Sequence, residues 1–428
     1  MVGSKAGPPS QRDYWSFYWP LALTGLAMAL ATQFQNGALA RYPDAVRELA
    51  IFALAQSTFQ FFNAALAFTP QLANVYARSE HGFRTSMTFI MLTTTGMMAI
   101  QGFLALTSPG RAFIAAVYDL DGPLLARVTE YLALLMPILL LNAARLYLNG
   151  TLVQARLTGW VTALNVLFLA TTIAVLLIGF RAGWHVTYTL VGAQAAGALM
   201  HLLATLLVRR AYYRWPEVEE HTALGYLELV KFFVPVTTNG VMFALSRPVL
   251  YAFVGRTPQG LLYIAALRVG FDFSAMFQQA ANQFRHFFVT FGLDDLAGKR
   301  RFMVAVCAGI TLIMLLVAVT PASDWVLGGL LGIEDEVKAR SVEVILVMCL
   351  LPTLIMFRNY FHGLLLVKRR TVGMATGGIL RVVGIYLLAQ LLYTTGTLDH
   401  MTAALVLVAG FGIEALTVLR AGRMLPAD

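Results

Sequence analysis

Long stretches of apolar residues alternate along this chain with short segments that hold most of its charged residues. A stretch of about 20 apolar residues forms a helix long enough to cross the ~30 Å hydrocarbon core of a bilayer. Twelve such stretches lie near residues 15–39, 46–70, 85–107, 128–150, 157–180, 187–209, 229–254, 259–285, 302–320, 341–367, 371–394 and 401–420. This pattern predicts an all-α polytopic membrane protein with twelve transmembrane helices.

The composition supports this prediction. Of the 428 residues, 58% are hydrophobic and 12% are charged, whereas soluble domains carry about 25% charged residues. The two cysteines, Cys307 and Cys349, lie in apolar runs, which favours buried free thiols over a disulfide. The polar N-terminus contains no signal-peptide cleavage pattern, so we expect the first apolar stretch to remain as a helix.

The net charge of +9 is distributed unevenly between the two ends of the predicted helices. Twelve spans place both termini on one side, and that side holds 16 Lys and Arg residues against eight on the other. Basic residues concentrate on the cytoplasmic side of membrane proteins. The charges therefore predict a multi-pass protein of the cell (inner) membrane with both termini cytoplasmic, and they argue against nucleic-acid binding.

Proline, glycine and arginine positions recur in the second half of the chain. The pairs at one constant spacing are Pro20 and Pro235, Gly25 and Gly240, Arg41 and Arg256, Pro43 and Pro258, and Pro137 and Pro352. At a spacing two residues shorter, further pairs match: Arg145 and Arg358, Tyr147 and Tyr360, Gly150 and Gly363, and Arg156 and Arg369. This repeat predicts two parallel six-helix lobes, 1-208 and 229-428, joined by a cytoplasmic linker, 209-228. Parallel repeats are typical of transporters, whose substrate sites lie near the bilayer midplane.

Five arginines lie deep within the predicted spans: Arg145, Arg247, Arg268, Arg358 and Arg381. The rise of a helix places Arg358 ~16 Å from the basic cytoplasmic end of its span. A charge near the bilayer centre costs ~2.5–3.5 kcal/mol even on the mildest scale, unless it faces a cavity or a partner. These arginines therefore need either an acidic partner or a bound anion.

Two of the arginines have no acidic residue nearby in the sequence. Arg145 and Asn149 form an i,i+4 pair, as do Arg358 and His362, and residues at this spacing share one face of a helix. Each pair would present a cation and a hydrogen-bonding neighbour to the same space. We predict that all four residues line a substrate cavity.

The other three arginines have alternatives to a substrate contact. Arg268 is followed one helical turn later by Asp272, which would allow an ion pair within the helix. Arg381 would pair with Glu414 of the last span. Arg247 precedes a proline and would bind either the carbonyls that this proline frees or the substrate. Asp272 and Glu414 are thus the possible charge partners.

The five arginines exceed these two carboxylates by about three charges. Arginine suits bidentate recognition of carboxylate and phosphate groups, so the natural ligand is a small polyanion. The sequence contains no metal-ligand spacing, phosphate-binding loop, dinucleotide fingerprint or nucleophile motif. We therefore expect a protein that is not an enzyme and that needs neither a metal nor another cofactor.

Three segments resemble the progressive ankylosis protein family. They are NGALARYPDAVRELAIFALAQSTFQFF (36–62), FFVPVTTNGVMFALSRPVLYAFVGR (232–256) and FRNYFHGLLLVKRRTVGMATGGILRVVGI (357–385). That family is similar to the multidrug/oligosaccharidyl-lipid/polysaccharide exporter superfamily, whose members have twelve helices in two six-helix lobes. Animal members of the progressive ankylosis family are associated with export of citrate, ATP and pyrophosphate. The short C-terminus suggests a compact, bacterial-type relative.

The resemblance implies that Arg247, Arg358 and Arg381 are central substrate-binding residues. No family motif matches at Arg145, whose predicted function therefore depends on the repeat alone.

Together these features predict a monomeric alternating-access exporter of small polyanions. A flippase or exporter of a lipid-linked or phospholipid substrate is the alternative, because headgroup diphosphates also require cavity arginines. A multidrug exporter of cations is disfavoured since deep positive charge repels its cargo. A non-transporting membrane scaffold would need neither the repeat nor the deep arginines.

Overall fold

The structure is a computed structural model, which describes residues 10–155, 157–214, 225–282, 284, 288, 291, 293, 295–367 and 372–423. Residues 215–224 of the predicted linker, and the matched pair Arg156 and Arg369, lie outside these residues. The helices are α1 (Gln11–Leu39), α2 (Ala45–Ala65), α3 (Thr69–Tyr76), α4 (Glu80–Leu106), α5 (Ser108–Tyr118), α6 (Gly122–Gln154), α7 (Thr158–Arg181), α8 (Val186–Tyr212), α9 (Tyr226–Val254), α10 (Gly260–Asn282), α11 (Leu296–Val319), α12 (Asp335–Met348), α13 (Leu351–Val367), α14 (Val372–Thr394) and α15 (His400–Arg423).

The described part of the chain contains ten helical segments long and apolar enough to cross a membrane. Helices α1 and α9 cover the two remaining predicted spans, 15–39 and 229–254. The prediction of an all-α polytopic membrane protein is therefore confirmed. Cys307 and Cys349 are buried free thiols, as the sequence indicates.

Helix α5 was not expected from the hydrophobic pattern, because it is too short to span a membrane. Its start is set locally: the Thr107 hydroxyl accepts a hydrogen bond from the Gly110 N–H (3.2 Å). Pro109 lies in the first turn, where its missing N–H leaves no helical bond unmade. A π-helical segment, Asp324–Leu330, lies between α11 and α12 in the second half of the chain.

The sequence repeat is also a repeat of helices. Helix α9 repeats helix α1 at the same spacing as the proline pairs. Helix α1 starts at residue 11 and α9 at 226, and they end at residues 39 and 254. Helix α6 is continuous through Pro137, whereas its counterpart divides into α12 and α13. Helix α6 starts at residue 122 and its counterpart at 335, and they end at residues 154 and 367. The spacing between the two is therefore two residues smaller at both ends than the spacing between α1 and α9. Both ends of this segment therefore share the smaller spacing of Arg145 and Arg358, whereas Pro137 and Pro352 within it keep the larger one.

Contacts divide the chain into two compact units. The central unit comprises Phe34–Ala265, and the terminal unit comprises Met1–Gln33 together with Ala266–Asp428. Most of α1 thus belongs to the same unit as the second half of the chain, and α9 belongs to the unit of the first half. The predicted lobes, 1-208 and 229-428, are defined by the repeat and stay a prediction.

The repeated tyrosine and glycine of the Arg-x-Tyr-x-x-Gly motif have packing functions. In the central unit the Tyr147 hydroxyl hydrogen-bonds to Ser86 (2.7 Å) and to the carbonyl of Phe83 (3.0 Å), joining α6 to α4. A Cβ atom at Gly150 would overlap the carbonyl oxygen of Pro70 on α3. In the terminal unit, a Cβ at Gly363 would overlap the ring of Phe288. Packing therefore explains the tyrosine and glycine of the motif and leaves its arginine to be explained.

We expect Gly150→Ala to destabilise the protein by about 1–3 kcal/mol, because the new methyl group would overlap the backbone of α3. The matched control is Gly192→Ala on α8, where a Cβ would meet no heavy atom within 4 Å and alanine improves helix propensity. Thermal unfolding of the detergent-purified variants measures both effects. Equal melting temperatures for the two variants would contradict the close contact between α6 and α3.

Candidate functional site

In the terminal unit, three helices bring two arginines onto one carboxylate. Arg381 on α14 donates from Nη1 to Oε2 of Glu414 on α15 (2.5 Å), and Arg358 on α13 donates from Nη1 to the same oxygen (3.4 Å). Their exposed fractions are 6% for Arg358, 0% for Arg381 and 1% for Glu414. The carboxylate thus supplies a counter-charge to two buried guanidiniums, including one for which the sequence offered no partner.

Amide groups and an aromatic ring surround the Arg358 guanidinium. Nη2 donates to the side-chain oxygens of Asn282 (2.7 Å) and Asn359 (3.3 Å), and the Asn359 amide donates to the carbonyl of Ala281 (2.9 Å). The ring of Phe411 lies 5.6 Å from Arg358 Cζ and 5.1 Å from Arg381 Cζ. Such a setting desolvates both guanidiniums and fixes their orientation.

His362 lies one helical turn after Arg358, as predicted, and is turned toward the same acid. Its Nε2 is 4.0 Å from Glu414 Oε1. Four predicted residues therefore form a single buried cluster: Arg358, His362, Arg381 and Glu414. We call these four residues, together with Asn282 and Asn359, the terminal cluster.

In the central unit, Arg145 on α6 lies in a different setting. Its Nε donates to Asn142 Oδ1 (2.9 Å), and the Asn142 amide donates to Asn63 Oδ1 (2.8 Å). The ring of Phe168 on α7 lies 5.0 Å from Arg145 Cζ. Within the described residues no carboxylate forms an ion pair with Arg145, and neither of its terminal nitrogens donates a hydrogen bond. Arg145 is nevertheless only 9% exposed.

Asn149 and His201 belong to the same site. We call Asn142, Arg145, Asn149, Phe168 and His201 the central cluster. His201 Nε2 lies 3.5 Å from Asn149 Nδ2, and His201 Nδ1 lies 3.2 Å from the Thr205 hydroxyl. That hydroxyl already donates to the His201 carbonyl (2.7 Å), so a neutral imidazole carries its proton on Nδ1 and accepts from Asn149. With this assignment the buried Asn149 Oδ1 has no hydrogen-bond partner among the residues that the structure describes.

The remaining predicted residues are Arg247, Arg268 and Asp272. Arg268 and Asp272 are both buried on α10 with Nη2 3.8 Å from Oδ2, the intrahelical pairing that the sequence allowed. Arg247 lies half-buried on α9 in the central unit. In the described ranges, no three His, Cys, Asp or Glu side chains come together as a metal site would require.

The sequence analysis found Asn149 but missed three other amide residues of the two clusters. Asn142, Asn282 and Asn359 all lie within predicted membrane spans, where an uncompensated amide is costly. Their presence there was a usable signal. The contact of Arg358 with Glu414 left no such signal, because 56 residues separate the two in the chain.

The fold is similar to that of several membrane transporters. The chain matches the eukaryotic MATE transporter AtDTX14 with a TM-score of 0.68 at 14% identity, over 97% of this chain and 96% of that one. It matches the lipid II flippase MurJ in an inward closed conformation with a TM-score of 0.68 at 11% identity, over 95% and 88%.

A third similar structure is a MOP superfamily transporter from Pyrococcus furiosus, described as having a binding pocket of reverse polarity that suggests a different function. Its TM-score is 0.55 at 11% identity, with 99% of this chain and 98% of that one covered. No protein-family signature matches this sequence. The likeness confirms the predicted fold, twelve helices in two lobes as in MOP superfamily transporters, while the resemblance to the progressive ankylosis family stays a prediction.

We expect Glu414→Gln to destabilise the protein by about 3–5 kcal/mol, because it removes the shared acid from two buried guanidiniums. Glu336→Gln is the control: this carboxylate is exposed and 3.9 Å from Arg340, so its loss should change stability by no more than about 1 kcal/mol. Adding Arg381→Gln to Glu414→Gln should restore part of the stability. Thermal unfolding of all three variants provides the test, and a wild-type melting temperature for Glu414→Gln would show that the ion pairs contribute nothing.

Proposed function

We propose that this protein is an alternating-access transporter that exports small anions bearing carboxylate or phosphate groups. The observation that carries the proposal is the Arg145 guanidinium, which is buried in the central unit with no carboxylate partner among the described residues. In this proposal, the anionic group of the cargo is the counter-ion of Arg145.

The energetic argument depends on the low dielectric of the membrane interior. An unpaired charge there is unfavourable by several kcal/mol, and an apolar residue would suit a purely structural position better. Arginine also presents parallel N–H donors that match the two oxygens of a carboxylate or phosphate. A transient anionic ligand is the partner that makes such a residue useful.

The fold supports transport as the activity. AtDTX14 and the Pyrococcus furiosus protein are described as transporters, and MurJ as a flippase. In proteins built from parallel repeats, transport proceeds by movement of one repeat against the other around the substrate site. A fold does not fix the cargo, and the reversed pocket polarity ascribed to the Pyrococcus furiosus protein is an example from within this group of structures.

The direction and the substrate class follow from charge and from the family resemblance. Each negative charge that leaves a cell with a negative interior gains ~2.3 kcal/mol per 100 mV of membrane potential, so export of a trivalent anion needs no coupling ion. The progressive ankylosis family implies cargoes of the citrate, pyrophosphate and ATP class. We place the protein in the cell (inner) membrane, as a monomer with cytoplasmic termini.

A second candidate is a flippase for a lipid-linked anion. The specific observation in its favour is the match to the lipid II flippase MurJ over 95% of this chain. A phosphate-bearing headgroup would satisfy the same arginine. Export of cationic drugs fits less well, because the central cluster would repel such cargo.

We expect the purified protein in proteoliposomes to take up radiolabelled citrate or pyrophosphate when the lumen is made positive, and to leave a cationic dye outside. Arg145→Gln should slow this uptake by about tenfold or more, since a charge-assisted hydrogen bond contributes ~1.5–3 kcal/mol. Arg84→Gln is the matched control, because Arg84 is exposed and, among the described residues, pairs with Glu80 of the preceding turn.

Movement of a fluorescent isoprenyl diphosphate between leaflets, with no uptake of soluble anions, would favour the flippase. Uptake of the dye alone would overturn the proposal of an anion cargo.

A further inference from the structure

The α7–α8 pair of the central unit and the α14–α15 pair of the terminal unit cross at equivalent positions, which fixes the register of the repeat. The crossing points are Gly197 on α8 and Gly410 on α15, which have the same spacing as Arg145 and Arg358. A Cβ atom at either glycine would lie no more than 3.2 Å from two residues of the neighbouring helix. Those residues are Thr172 and Phe168 in the central unit, and Ile385 and Arg381 in the terminal unit.

This one spacing matches four positions of the two clusters. The equivalent pairs are Arg145 and Arg358, Asn149 and His362, His201 and Glu414, and Phe168 and Arg381. The contact between the second and third positions is present in both units: Asn149 lies 3.5 Å from His201, and His362 lies 4.0 Å from Glu414. At these four positions the two clusters are therefore versions of one arrangement of helices and side chains.

The two clusters differ in charge at two of these positions: the terminal unit has Arg381 where the central unit has the neutral Phe168, and it has Glu414 where the central unit has His201. In the terminal unit, Glu414 supplies a carboxylate that accepts from Nη1 of the repeated arginine, Arg358. In the central unit the same position carries His201, a side chain without negative charge. The terminal nitrogens of Arg145 correspondingly donate to none of the described residues, and the buried Asn149 Oδ1 has no partner there either.

We infer that the central cluster binds a carboxylate or phosphate group of the cargo, and that this group takes the position which the Glu414 carboxylate occupies in the terminal cluster. This inference rests on the proposed function and assigns its anion site to Arg145 and not to Arg358. Glu414 is then a fixed internal counterpart of the cargo's anionic group. Because it is covalently attached, this carboxylate stays beside Arg358 and Arg381 permanently, whereas the central cluster can exchange its counter-ion.

The substitution that tests this inference is His201→Glu, which gives the central cluster the acid found at the equivalent position. The new carboxylate should pair with Arg145 and exclude external anions. The matched control is His201→Gln, which has nearly the same shape as the glutamate variant but no charge. The measurement is equilibrium binding of radiolabelled citrate and of pyrophosphate to the purified protein in nanodiscs, with binding of an isoprenyl diphosphate measured separately.

We expect the glutamate variant to bind the anion about ten- to hundredfold more weakly than the glutamine variant, the range expected for loss of a charge-assisted hydrogen bond. Whichever ligand shows this loss, a soluble anion or the isoprenyl diphosphate, is the source of the anionic group. Equal affinities of the two variants would overturn the inference and leave the proposed function standing. Failure of the wild-type protein to bind or transport any anion would instead overturn the proposed function.

A second variant keeps the inference testable if His201→Glu does not fold. Asn142→Asp brings a carboxylate to the other side of the same guanidinium, because Asn142 Oδ1 already accepts from Arg145 Nε at 2.9 Å. We expect it to weaken anion binding to a similar extent relative to the neutral Asn142→Ala. Unchanged affinity in Asn142→Asp would count against Arg145 as the anion site.

Discussion

A guanidinium in the interior of a membrane protein needs a counter-charge, and much of this structure can be understood from how that need is met. Arginine keeps its proton under all ordinary conditions, so it cannot escape the desolvation penalty by becoming neutral. Arg358 and Arg381 share the Glu414 carboxylate from a neighbouring helix. Arg268 lies near Asp272 on its own helix. Arg145 has amides and an aromatic ring around it but no acid among the described residues.

The repeat gives this contrast its meaning. Helices at a nearly constant spacing along the chain build the same local arrangement twice, so each side chain in one cluster has a structural counterpart in the other. Packing residues such as Gly150 and Gly363 recur because close helix contacts recur. The acid does not: Glu414 faces His362, whereas His201 faces Asn149. In the terminal unit this acid accompanies a second arginine, Arg381, at the position where the central unit has Phe168, and Arg145 has no carboxylate partner among the described residues.

Much of the fold could be predicted from the sequence, because the hydrophobic length needed to cross a bilayer is a strong and local constraint. Helix α5 was missed since a capping Thr107 and an early Pro109 start a helix without any membrane-length pattern. The grouping of α1 and α9 into compact units depends on tertiary contacts that no periodicity encodes. Arg145 and Arg358 were found as equivalent by their shared motif, but the acid that separates them lies 56 residues beyond Arg358 on another helix.

The amide residues show a further limit of sequence reasoning and a way around it. Asn142 and Asn282 each bond directly to a deep guanidinium, and neither belongs to a charged motif. In a membrane helix, however, an asparagine faces the same constraint as an arginine, since its donors and acceptors must be satisfied away from water. For the proposed anion site at Arg145, an amide partner has an advantage over an acid. The Asn142 amide holds the guanidinium in place through a neutral hydrogen bond, whereas an acid at the same position would compete with the proposed anionic cargo.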